Sequence, residues 1–137
     1  MIKKIEHIGI AVKSLEAAKV FEILLNNPSY KTEEVSQEKV KVNFFKIGES
    51  KIELLESTDP NSTIAKYIEK RGEGIHHIAL AVDNILSEMQ RLKKEGFSFI
   101  YEEPKRGADN QLINFIHPKH TNGVLIELCQ EINSNNQ

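Results

Sequence analysis

Four residues of this chain sit in matched surroundings and have side chains suited to one chemistry: His7, Glu53, His77 and Glu127. Two imidazoles and two carboxylates fit a first-row divalent cation such as Co²⁺, Ni²⁺, Mn²⁺ or Zn²⁺. An octahedral ion held this way keeps two positions open for water or substrate oxygens. Taken singly, each residue is unremarkable. A lone strand histidine is more often structural, and a lone strand glutamate usually faces solvent. The repetition makes the case. His7-Ile8-Gly9-Ile10-Ala11-Val12 resembles His77-Ile78-Ala79-Leu80-Ala81-Val82, an offset of 70 (77 − 7). Lys51-Ile52-Glu53-Leu54-Leu55 is echoed by Leu125-Ile126-Glu127-Leu128-Cys129, and Asn43-Phe44-Phe45 by Asn114-Phe115-Ile116.

Strands must carry these residues. Strand side chains alternate between faces. Ile8, Ile10 and Val12 therefore oppose His7, Gly9 and Ala11, while Ile78, Leu80 and Val82 oppose His77, Ala79 and Ala81. Ile52 and Leu54 oppose Glu53, and Val124, Ile126 and Leu128 oppose Glu127. Each aliphatic face suits a covering helix, and the other faces collect the histidines, glutamates and small residues. Buried carboxylates are costly without compensation, and a shared cation would offset that cost. His76 falls on the face of Ile78 and Leu80 and reads as structural. Asn43 shares a face with Lys41 and Phe45 and is a candidate to line the cavity.

Strands are expected near 2–12, 38–47 and 50–56, then 74–82, 97–101, 111–117 and 123–130. Seven residues after each histidine stands a helix-capping residue, Ser14 or Asn84. The first helix has Ala17, Ala18, Phe21, Leu24 and Leu25 on one face. The second has Ile85, Met89 and Leu92, with Gly96 as its stop signal. A linker helix over about 61–72 presents Ile64, Ala65 and Ile68 and ends at Gly72 and Gly74. The fold class is α+β. One domain over 1–131 comprises modules of about 1–60 and 73–131, followed by a disordered tail at 132–137.

At 137 residues, with 39% hydrophobic and 28% charged residues and a net charge of −2, the chain reads as an ordinary soluble domain. No basic excess points to nucleic acid or an anionic membrane, and no apolar run approaches a membrane span. Cys129 is the only cysteine, which excludes an intrachain disulfide and a Cys-type zinc site. The expected setting is the cytoplasm.

The paired βαβββ units with their His and Glu residues resemble the vicinal oxygen chelate superfamily. Within it, the motifs resemble those of the methylmalonyl-CoA epimerases from about Ile2 to Gln130. The run Glu103-Pro104-Lys105-Arg106-Gly107-Ala108, then Ile113-Asn114-Phe115-Ile116-His117-Pro118-Lys119 and Gly123-Val124-Leu125-Ile126-Glu127-Leu128, carries that resemblance most strongly, with Gly74-Ile75-His76-His77-Ile78-Ala79. It implies two modules forming a curved, incomplete barrel around a metal site, with His7, Glu53, His77 and Glu127 as ligands. It also implies epimerisation of (2R)- and (2S)-methylmalonyl-CoA through an enolate, and a homodimer by fold analogy.

Glu127 is the expected acid/base group and Glu53 its counterpart, with Lys41, Lys51 or a bound water as rivals. Lys105, Arg106, Lys119 and His120 are candidates to meet CoA phosphates, and His117 and His120 to touch ligand. Three departures stand out. Leu25-Asn26-Asn27-Pro28 replaces a usual Leu-Gly turn. Asp109-Asn110 stand where glycines are common. No carboxylate occupies Val42 or Asn43, where one member type has an additional acid/base glutamate. The alternative readings are a glyoxalase I-type lactoylglutathione lyase and a non-catalytic ligand-binding protein on the same fold.

Overall fold

A computed structural model describes residues 1–132. The chain forms two compact units. One comprises His7–His76, and the other comprises Met1–Glu6 together with the chain from His77 onward. Two long strands, β1 (Ile2–Val12) and β5 (Gly74–Val82), each contribute one part to each unit.

The His7–His76 unit runs through helix α1 (Ala18–Leu25) and strands β2 (Lys31–Val35), β3 (Val40–Ile47) and β4 (Ser50–Ser57). Its strand order is β2-β3-β4-β1. β4 lies parallel to β1, and β3 is antiparallel to both of its neighbours. A parallel pair needs a long crossover, and here α1, β2 and β3 supply it. Ser14 starts the helical segment by accepting from Glu16 N at 3.1 Å. Phe21, Leu25, Ala17 and Ala18 then pack on Phe45, Leu54 and Val12. Leu24 does not join them and is 71% exposed, beside Val20 and Ile23. At 100° per residue, Ala17, Phe21 and Leu25 make the stripe that faces the sheet, and Leu24 turns out of it. Asn26 closes α1 in the left-handed region, at φ 52°. It takes the part glycine plays in a Leu-Gly turn, since asparagine tolerates that conformation better than other side chains.

Helix α2 (Thr63–Arg71) follows, capped by Ser62 Oγ accepting from Ala65 N at 3.0 Å. Ile64 anchors it and Gly72 ends it at φ 78°.

The other unit repeats the plan with helix α3 (Ile85–Lys94) and strands β6 (Lys105–Gly107), β7 (Gln111–Ile116) and β8 (Ile126–Glu131), in the order β5-β8-β7-β6. β8 is parallel to β5, and β7 is antiparallel to β6 and β8. The beginning of β1 meets the end of β5, where Asp83 N donates to Met1 O. Asn84 Oδ1 caps α3 by accepting from Ser87 N. Ile85, Met89 and Leu92 are buried against Val82, Ile116 and Leu128. Glu88, buried on the same helix, is paired with Arg91 Nε at 3.1 Å and the Met1 amine at 3.4 Å. The Arg91 guanidinium, helped by that ammonium, holds the Glu88 carboxyl below the usual range.

Three features differ from the expected elements. β2 is an additional strand; its charged Lys-Thr-Glu-Glu run has low strand propensity, as edge strands often do. The segment 97–101 alternates apolar and polar but forms a single bridge, Phe99 to Ile116. Phe97 and Phe99 pack on the α3 core instead. The edge strand falls at Lys105–Gly107, outside the expected strands. Of the tail expected at 132–137, Ile132 is buried and its N–H donates to Asn110 O at 3.0 Å; the rest lies outside the described residues. No helix among the described residues is long and apolar enough to cross a membrane.

The two helices should respond differently to substitution. Met89→Ala is expected to lower the unfolding free energy by about 2–5 kcal/mol. Ile23→Ser, on the exposed side of α1, should change it by no more than about 0.5 kcal/mol. Urea denaturation of both variants checks this.

Candidate metal centre

In the His7–His76 unit, β1 and β4 bring His7 and Glu53 together. The parallel register sets Gly9 beside Glu53 and His7 beside Lys51, and register partners share a face. His7 Nδ1 lies 3.0 Å from Glu53 Oε2, and both side chains are almost wholly buried. Gly9 and Ala11 have little or no side chain on this face and leave room. Phe44 stands directly across from Glu53, and Val42 across from Leu55. The Tyr30 ring lies 5.8 Å from Phe44, and Lys31 Nζ sits 4.9 Å over the Phe44 ring.

The second unit repeats this. His77 Nε2 lies 3.5 Å from Glu127 Oε1, again with both groups buried. Ala79 is the register partner of Glu127 on β5, and Phe115 is its partner on β7. The Phe115 ring meets His77 edge-on, at 5.8 Å and 90°. Tyr101 packs on Phe115 at 6.4 Å, with Lys105 Nζ 4.3 Å over the Tyr101 ring. Cys129 Sγ donates to Glu127 Oε1 at 3.5 Å.

Each unit thus presents one buried imidazole–carboxylate couple walled by a phenylalanine, aliphatics and small residues. Carboxylates in such apolar surroundings favour a cation as partner, and imidazole nitrogen with carboxylate oxygen is a fitting donor set. His7 and Glu53 also belong to a buried group whose ligand atoms all come within 4.8 Å of one another.

The duplication runs deeper than the sequence discloses. Tyr30 and Tyr101 are 71 positions apart (101 − 30), as are Phe44 and Phe115 (115 − 44). Both tyrosines lie outside regular strands, so no alternation marks them. Asn43 and Asn114, also 71 apart (114 − 43), hold the tyrosine segments. Asn114 is fully buried. Its Oδ1 accepts from Tyr101 N and Phe115 N, and its Nδ2 donates to Tyr101 O at 2.9 Å. Asn43 Nδ2 donates to Ser29 Oγ and Thr32 Oγ1, both at 2.8 Å, and its buried Oδ1 has no hydrogen-bond partner.

Asn43 is the register partner of Leu54, so it lies on the helix-covered face, opposite Glu53. Lys105 pairs in register with Ile113, whose packing against Ala79 and Cys129 puts it on the Glu127 face. Arg106 pairs with Leu112, on the α3 side. His76 packs edge-on against Tyr67 at 4.9 Å. His117 Nδ1 accepts from Lys119 N, and His120 Nε2 lies 2.9 Å from Ser98 Oγ, which ties the 97–99 segment to the 118–120 turn. Asp109 and Asn110 adopt φ 58° and 56°, the left-handed conformation glycine favours.

The two asparagines should differ when removed. Asn114→Leu leaves two backbone N–H groups and a carbonyl unpaired and should cost about 1–3 kcal/mol each where burial persists. Asn43→Leu removes a buried oxygen that has no partner, so it should destabilise less. Paired denaturation curves check the order.

Residues 6–115 match the family model described as the Glyoxalase/Bleomycin resistance protein/Dioxygenase superfamily. The chain is 38% identical over 133 residues to an ethylmalonyl-CoA/methylmalonyl-CoA epimerase of Cereibacter sphaeroides, covering 95% of this chain and 99% of that one. It superposes on the crystal structure of methylmalonyl-CoA epimerase from Mycobacterium tuberculosis with a TM-score of 0.93 at 32% identity, covering 98% and 91% of the two chains. A methylmalonyl-CoA epimerase solved in complex with methylmalonyl-CoA and NH4+ gives a TM-score of 0.91 at 33% identity, with 96% of each chain covered. Matched along nearly its whole length in sequence and in fold, the chain belongs to the glyoxalase/bleomycin resistance protein/dioxygenase superfamily and, within it, to the methylmalonyl-CoA epimerase family.

Proposed function

We propose that this chain is a metal-dependent methylmalonyl-CoA epimerase that interconverts the 2R and 2S forms. The carrying observation is the duplicated buried couple, His7 with Glu53 and His77 with Glu127. In this reading all four side chains hold one divalent cation, and the family's full-length similarity supports the substrate. The glyoxalase I and non-catalytic readings are not favoured, because several relatives that align with nearly the whole chain are named as epimerases and none as a glyoxalase I.

The α-hydrogen of methylmalonyl-CoA is acidified by a thioester and a carboxylate on the same carbon. When bound, a divalent cation supplies Lewis acidity for the negative charge that develops on the substrate oxygens. His7 and His77 orient the carboxylates and complete the donor set. Glu127 exchanges a proton with the α-carbon, and Glu53 is the matching carboxylate of the other unit. Phe44 and Phe115 exclude water beside the two carboxylates, which strengthens electrostatics at the reacting carbon. Lys105, on the Glu127 face of an exposed edge strand, and Arg106, on its other face, are the cations offered to the phosphates of CoA, and Asn43 acts indirectly, by holding the Tyr30 segment. The working form is a cytoplasmic homodimer.

Chelation is expected to abolish conversion of (2R)-methylmalonyl-CoA, and re-addition of Co²⁺, Ni²⁺, Mn²⁺ or Zn²⁺ to restore it to differing extents. Glu127→Gln should slow epimerisation about 10²- to 10⁴-fold, and Glu53→Gln should lower bound metal in elemental analysis. If both variants keep near-normal turnover and metal content, the assignments are wrong.

A further inference from the structure

The chain runs twice beside the same edge of β7. On the first pass Ser98 O accepts from His117 N at 2.9 Å, Phe99 bridges Ile116, and Ile100 N donates to Phe115 O at 2.8 Å. That register sets Tyr101 opposite Asn114. The second pass sets Lys105 opposite Ile113, the adjacent residue of β7. Glu102, Glu103 and Pro104 are therefore looped out of the edge. With Ile100, Tyr101 and Lys105 they line a cavity of about 580 Å³. Bulges of this kind re-aim side chains. Strand alternation would send the Tyr101 ring to the side of Phe99, which packs on the α3 core. The ring lies instead 6.4 Å from that of Phe115, on the Glu127 face.

One buried amide holds the turned residue. Asn114 Oδ1 accepts from Tyr101 N at 3.1 Å and from Phe115 N at 2.9 Å, and its Nδ2 donates to Tyr101 O at 2.9 Å. The amide replaces the ladder partners that Tyr101 gives up, and it fixes the two aromatic residues relative to each other. Lys105, returned to the edge by the loop, places its Nζ 4.3 Å over the Tyr101 ring. Phe115 in turn meets the His77 imidazole edge-on, at 5.8 Å and 90°. His77 Nε2 lies 3.5 Å from Glu127 Oε1. All of these contacts lie within one unit.

We propose that Tyr101 is a positioning residue for the ligand His77: its ring pins Phe115, and Phe115 fixes the plane of the imidazole. The proposal rests on the metal-binding part of the epimerase reading. A ligand ring that turns freely must give up that freedom when it coordinates an ion, and one already held gives up little. Packed rings beside a ligand also keep water from it. Packing for stability alone is the competing role of Tyr101, and the experiment separates the two.

Full-length Tyr101→Leu, Tyr101→Met and Tyr101→Phe are compared with the wild type and with Leu92→Ala, a core variant of α3 outside this line of contacts. Co²⁺ dissociation constants are measured by competition with a chromophoric chelator. Visible spectra at saturating Co²⁺, thermal midpoints, and kcat and KM for methylmalonyl-CoA are recorded alongside. Tyr101→Leu is expected to weaken Co²⁺ binding about 10- to 100-fold and to shift the Co²⁺ bands. With metal saturating, kcat should fall more than KM rises. Tyr101→Met, which keeps apolar bulk without a rigid ring, should behave alike, and Tyr101→Phe should bind as the wild type does. Leu92→Ala should lower the thermal midpoint and leave affinity and spectrum unchanged. Binding within about twofold of wild type, with an unshifted spectrum, in the Leu and Met variants overturns the proposal. A comparable loss of affinity in Leu92→Ala overturns it as well, since the effect is then one of stability. A loss in Tyr101→Phe as large as in Tyr101→Leu overturns it by moving the role to the hydroxyl. A wild-type protein that binds no Co²⁺ overturns the metal reading and the proposal with it. One that binds Co²⁺ without converting methylmalonyl-CoA overturns the epimerase reading alone, and the binding comparison still decides the role of Tyr101.

Discussion

A carboxylate can be kept inside an apolar wall only beside a group that answers its charge. In this protein that constraint is met twice, by a histidine on the neighbouring parallel strand. The requirement explains much of the local sequence. The histidine strands carry glycine or alanine at alternate positions, and Gly9, Ala11 and Ala79 add little bulk to the face of the couple. The glutamate strands carry leucine or isoleucine on the reverse side, because a helix must cover them. Parallel pairing of β1 with β4, and of β5 with β8, sets imidazole and carboxylate on one face at 3.0 and 3.5 Å.

Around each couple the surroundings repeat in kind and differ in detail. Both have a phenylalanine across the ladder, a tyrosine on that ring and a lysine above an aromatic face. The asparagine that holds each tyrosine segment bonds to the backbone through both amide atoms in one unit, and to two hydroxyls through its Nδ2 alone in the other. The helices diverge more. α3 is sunk into its sheet by Ile85, Met89 and Leu92, whereas α1 has no buried residue. A duplicated scaffold can thus keep its imidazole–carboxylate couples while the elements behind them drift.

Much of this was legible in the sequence. Period-two alternation around His7, Glu53, His77 and Glu127 marked their strands and faces, and Ser14 and Asn84 marked the helix starts. β2 was not legible, because a charged edge strand lacks the apolar alternation that identifies interior strands. Phe97 and Phe99 suggested a strand by alternation, yet their rings are taken by the α3 core and leave the backbone largely unladdered. Asn43 was placed on the correct side of its strand, but which side faced the couple depends on the register with β4, and one sequence does not contain that register. Asn26, Asp109 and Asn110 appeared as departures from glycine, while the backbone shows the same left-handed turns made with a residue that tolerates them.

The sharing of β1 and β5 between the units bears on how the protein is born. Met1–Glu6 precede the His7–His76 unit along the chain, but the residues that complete their own unit begin at His77. A whole compact unit is thus inserted between two parts of the other, and Met1–Glu6 can join their unit only after the chain has passed through His7–His76. Lys3 and Lys4, both exposed, interrupt the isoleucines of this stretch, which suits a segment that must stay in solution until the unit it belongs to closes around it.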